Sequence, residues 1–127
     1  MGVLVLGLAG TGIELVLFGH YEDAWQRVPL VLIGAALGVL VWHAARRDGT
    51  SVRAIRATMA SLMLAGAVGA ALHIRGAAEF QLEIDPTQSW WELSKKVMRA
   101  QAPPALAPGI MVQLGLLGLT YAYRYPD

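Results

Sequence analysis

The chain has 127 residues, of which 56% are hydrophobic and 15% charged, with a formal net charge of +1 and no cysteine. Its mean hydropathy is +0.50. Soluble domains carry about 25% charged residues, so this composition points to a membrane. It excludes a basic field for nucleic acid, and it excludes disulfides, thiolate metal sites and a cysteine nucleophile.

Four apolar segments fill most of the sequence, at 3–18, 28–45, 54–74 and 108–123. A spanning helix needs roughly 17–25 apolar residues, so the first and last must borrow flanking positions. Backbone amides in hydrocarbon must be satisfied within their own segment, which leaves helices as the economical reading. The first segment lacks a basic leader and contains Glu14, so it reads as a retained helix rather than a signal peptide. It ends at the polar turn Gly19-His20-Tyr21-Glu22-Asp23, beside the interfacial aromatics Tyr21 and Trp25.

The second segment is expected to hold Pro29 in its first turn, where a missing N–H costs nothing, and to end at Trp42-His43. A short link with Arg46 and Arg47 leads to the third segment, whose first turns carry Arg53 and Arg56. After Asp85-Pro86-Thr87, which reads as a turn, Ser89 and Glu92 fit a capping box. The helix it opens sets Trp90, Trp91, Leu93, Val97 and Met98 against Lys95, Lys96 and Arg99. It suits either the membrane surface or a cap on the bundle. Pro103, Pro104 and Pro108 break the chain before the last segment.

The expectation is therefore an all-α integral membrane protein forming one transmembrane domain over 1–127. Four transmembrane helices, at about 2–20, 27–46, 53–75 and 105–124, form a compact bundle. An extramembrane link over 76–104 carries the short amphipathic interfacial helix, with Trp25, Trp42, Trp90 and Trp91 at interfaces. Four arginines within a short stretch of the second link place that link and both termini in the cytoplasm. Small residues recur on every segment (Gly7 and Gly10, Gly34 and Gly38, Ser61, Ala65 and Gly69, Gly115 and Gly118), as close helix approach in lipid requires.

Glu14 is the most telling side chain, because an ionisable group in a span is costly unless paired or wetted. It is expected to face the bundle, at a depth similar to Gln113. It serves there either as a proton- or ligand-binding carboxyl or as interhelical glue. A second constellation, His20, Glu22, Asp23, His73, Glu79 and Glu83, falls at one membrane face. It offers imidazole and carboxylate ligands for zinc, iron or manganese, or a network stapling the first helix to the third. His43 lies at the other face, out of reach of His20 and His73, which argues against a bis-histidine haem at mid-depth.

The turn at 19–23, together with Pro104-Ala105-Leu106-Ala107-Pro108-Gly109 and Gln113-Leu114-Gly115-Leu116-Leu117-Gly118-Leu119, resembles small four-span proteins of the bacterial inner membrane with no assigned activity. That resemblance implies architecture and location only.

Three functions compete. The first is a non-enzymatic accessory or structural subunit of a larger bacterial membrane complex, such as a respiratory or photosynthetic assembly. The second is a small transporter or ligand-binding protein using Glu14 and Gln113. The third is a metal- or haem-binding redox subunit using His20 and His73. The partners expected are the lipid bilayer and other membrane subunits, or further copies of the chain. No cofactor is required by the sequence.

Overall fold

A computed structural model describes residues 1–99 and 106–125. Pro103 and Pro104 lie outside the described residues. Five helices follow one another: α1 (Gly2–Leu17), α2 (Ala24–Arg46), α3 (Gly49–Ile84), α4 (Trp90–Met98) and α5 (Leu106–Tyr123). Three of them, α2, α3 and α5, are long and apolar enough to cross a membrane, with window hydropathies of 2.1, 1.6 and 1.3. The protein is all-helical among the described residues and has the character of a membrane protein.

Helix α1 stops at Leu17, short of the expected end near 20. Gly19 adopts φ +67, a conformation that costs glycine nothing. The amides of Gly19 and His20 then donate back to the carbonyls of Val16 and Leu15, closing a Schellman turn. Sixteen residues reach roughly 24 Å, less than the hydrocarbon thickness of about 30 Å.

Helix α2 begins at Ala24, so Pro29 sits in its second turn rather than its first. Gln26 accepts from the amides of Glu22 and Asp23 and fixes this start. At the other end Arg47 turns the chain with φ 52, the left-handed region that non-glycine residues seldom occupy.

Helix α3 is the main departure from expectation. It runs 36 residues, roughly 54 Å, and continues through 76–84, which the sequence suggested was a link. Asp48 caps its start by accepting from the Ser51 amide at 2.7 Å. Within the extension, Arg75 and Glu79 pair at i,i+4, 2.7 Å apart. Pro86 ends the helix by forcing Asp85 into extended backbone, φ −144 and ψ 95. Helix α4 opens with the expected capping box: Ser89 Oγ accepts from the Glu92 amide, and Glu92 accepts from the Ser89 amide.

Helix α1 packs against α2, α2 against α3, α3 against α5, and α5 back against α1, while α4 rests on α3. The core between them is Leu4, Leu8 and Leu15 of α1, Ile33, Ala36 and Leu40 of α2, Val52, Ile55, Met59 and Leu62 of α3, and Met111, Leu114 and Ala122 of α5. The closest approach is between α3 and α5. A Cβ placed at Gly66 would stand 2.6 Å from the Pro108 carbonyl oxygen, and one at Gly115 would stand 2.7 Å from the Met59 carbonyl oxygen.

Candidate functional site

Two buried polar side chains, His43 and Ser51, meet at the end where α2 joins α3, apart from Thr11 in the face of α1. The buried face of α2 runs Ile33, Ala36, Leu40 and His43 in steps of three and four, so His43 completes an apolar stripe. Its ring is 1% exposed. Ser51, fully buried in the first turn of α3, lies 2.8 Å from His43 Nδ1 and donates its hydroxyl to the Asp48 carbonyl at 2.8 Å. The hydroxyl has one proton, and that proton is committed to Asp48. With the proton there, Ser51 accepts from the Nδ1–H of His43. Nε2 is buried and has no hydrogen-bond partner among the described residues.

Two tyrosines close over this ring edge-on, Tyr121 of α5 at 6.0 Å and Tyr125 just beyond it at 5.0 Å. Their hydroxyls are 3.3 Å apart. Arg56 donates to the Tyr125 carbonyl at 3.0 Å and ties this tail to α3. The Ser51 amide, first among several causes, holds the Asp48 carboxyl below the ordinary carboxylate range. The cluster therefore locks α2, α3 and α5 together. An imidazole with one nitrogen anchored and the other bare is also the arrangement of a base or metal ligand, but here the tyrosine rings cover it.

Glu14 and Gln113 are not brought together. Both are exposed, and no hydrogen bond joins them among the described residues. The buried face of α1 is Leu4, Leu8, Thr11 and Leu15, which leaves Glu14 on the flank. Helix α5 turns Gly115 and Gly118 toward α3, and that puts Gln113 on the outward side. The expectation that Glu14 faces the interior thus fails. Its helix packs through the larger aliphatic residues and through Gly7, which faces Leu114 of α5, while Gly10 and Glu14 lie to one side.

His20 and His73 do meet, with ring centroids 6.3 Å apart and planes 29° from parallel. Their carboxylate neighbours are spread out. Asp23 stands at the start of α2, Glu79 pairs with Arg75, and Glu22 and Glu83 are exposed. Among the described residues, no group of three or more His, Asp or Glu is placed to hold a metal ion. Trp25 is 76% exposed, and Trp42, Trp90 and Trp91 are also exposed. Lys95 Nζ lies 4.8 Å above the Trp91 ring.

By sequence His43 stands at the membrane face opposite His20 and His73, beside Arg46 and Arg47. Its signal was its register with Ile33, Ala36 and Leu40, together with a serine in the first turn of the next helix. No family model, curated protein or solved structure matches the chain.

Proposed function

We propose that the protein is a non-enzymatic accessory subunit of a larger complex in a bacterial inner membrane. In this reading α1, α2, α3 and α5 cross the bilayer as a four-helix bundle, with both termini in the cytoplasm. The supporting observation is Glu14, a carboxyl on the outward flank of an apolar helix with no side-chain partner in its own chain among the described residues. In lipid such a group is costly, roughly 2.5–3.5 kcal/mol for the worst residues at mid-span. A neighbouring helix that supplies a donor removes that cost. Gly10 on α1 and Gly34 and Gly38 on α2 also leave room for close approach, having no atom within 4 Å of an added Cβ.

A photo-crosslinking residue in place of Glu14, activated in intact membranes, should give a protein adduct of one discrete mass. Lipid adducts alone would overturn the reading. The orientation is tested separately by Gly49→Cys, which should resist an impermeant thiol reagent in intact cells. Labelling there would reverse it.

A second reading, a redox or metal-binding subunit, is favoured by one observation, the His20–His73 ring pair. Metal analysis and an absorption spectrum of the purified protein test it. A colourless, metal-free preparation rules it out.

A further inference from the structure

Where α3 continues past His73 it loses its neighbours. The ring of His20, just after α1, stands beside His73, and α5 starts at the level of Gly66 and Gly69, which face Pro108. The apolar part of α3 therefore ends close to His73 and Arg75, and the segment to Ile84 projects beyond it. Helix α4 follows a short turn in which Gln88 donates to the Gln81 and Asp85 carbonyls. It folds back along α3, burying Leu93 and Val97. From residue 75 to 84 the projection rises roughly 13 Å, and from 90 to 98 the chain returns roughly 12 Å, at 1.5 Å per residue. The last turn of α4 is thereby carried back toward the level where the apolar span ends.

That last turn is basic. Lys95, Lys96 and Arg99, with Gln81 and Glu92, line an open pocket of about 510 Å³. Of the acids nearby, Glu92 lines the pocket and Asp85 stands within the field of Lys96, but each is already hydrogen-bonded within its own turn. Glu92 accepts from the Ser89 amide and hydroxyl, Asp85 from the Thr87 amide and hydroxyl, and Glu79 is paired with Arg75. The three cations stand at i, i+1 and i+4 and border the same pocket, with no ion pair among the described residues. Such a cluster has room for a phosphate and the donors to hold one.

We infer that this pocket holds the phosphate of an acidic phospholipid headgroup, clasped by Lys95, Lys96 and Arg99 where the α3–α4 hairpin returns to the membrane face. A free phosphate offers the same oxygens, but the pocket stands beside Gln81, roughly 9 Å along α3 from Arg75 and within side-chain reach of the headgroup layer, and that assigns it to the lipid. The hairpin would then be held upright at its base, while Trp90 and Trp91 stand at its tip. Basic residues this close to an acidic surface strengthen attraction by about fivefold each. The inference rests on the membrane reading and not on the identity of any partner subunit.

The test uses the full chain purified in detergent doped with equal phosphatidylglycerol and phosphatidylcholine, with retained lipids counted by native mass spectrometry. The wild type should keep one phosphatidylglycerol more than the triple variant Lys95→Gln/Lys96→Gln/Arg99→Gln, and its affinity for that lipid should be at least about tenfold higher. Lys95→Arg/Lys96→Arg/Arg99→Lys should restore it. All three side chains are exposed, so helical content should not change. Equal retention in the wild type and the triple variant overturns the inference. Release of that lipid by millimolar inorganic phosphate overturns the lipid assignment in favour of a free anion. A wild type that keeps neither lipid overturns the membrane reading as well.

Discussion

The two sides of the molecule use the same residue type in opposite ways. Between α3 and α5, Gly66, Gly115 and Gly118 face backbone oxygens or the Met59 side chain so closely that a Cβ has no room. On the α1–α2 side, Gly10, Gly34 and Gly38 face open space, and an apolar groove of about 430 Å³ runs between the helices past Gly12 and Gly34. The first side is closed at one end by the His43 cluster, while the second stays open; Glu14 lies on the other flank of α1, in line with Gly7, which faces Leu114 of α5. A glycine stripe thus marks a face that can pack, and the partner helix decides whether it does.

The glycines give the largest contrast. Gly66→Ala and Gly115→Ala should each destabilise the purified protein by about 1–3 kcal/mol, because the new methyl meets a carbonyl oxygen on the facing helix. Gly38→Ala meets nothing and should be neutral or gain up to about 1 kcal/mol from helix propensity. Unfolding in detergent measures both. Equal effects would erase the distinction between the two sides.

Two serines sharpen it further. Ser51→Ala removes the acceptor of His43 Nδ1–H and leaves both ring nitrogens buried and unpaired, at a cost of about 1–3 kcal/mol. Ser61→Ala loses only an exposed hydroxyl bonded back to the Ala57 carbonyl and should lie within about 0.5 kcal/mol of wild type. If the two variants melt together, the cluster does not hold the closed side.

The smallest effect is acid dependence at the α3 cap. The Asp48 carboxyl is lowered from 3.8, chiefly by the Ser51 amide. Its contribution is therefore complete above that ordinary value and fades as pH falls through the lower folded value. The lead of wild type over Asp48→Ala in melting temperature should be constant near neutrality and shrink below about pH 3.8. A lead that widens on acidification would contradict the cap.

Much of the architecture was legible from apolar run length and punctuation. Ser89 and Glu92 announced α4, and Asp85-Pro86 marked where a helix must stop. The length of α3 was not legible, because polar residues after Arg75 resemble a link. Gly76 is the one weak helix former before Pro86; Ala77, Ala78, Glu79, Gln81, Leu82 and Glu83 favour a helix, and α4 covers one of their faces. The site was harder to read. His20 and His73 lie at segment ends, where turns fix depth, and their rings stand 6.3 Å apart. Glu14 was turned the wrong way because polarity suggested the interior, whereas Leu4, Leu8 and Leu15 occupy it. His43 was passed over because flanking arginines disguised a residue that continues the buried stripe of α2.

The outward carboxyl is the centre of the functional account, and native mass spectrometry of the protein extracted in mild detergent addresses it directly. Wild type should emerge in a complex larger than one chain, and Glu14→Leu should emerge as the folded single chain. A wild type that is already monomeric and alone, or a variant that keeps the same complex, would contradict the account.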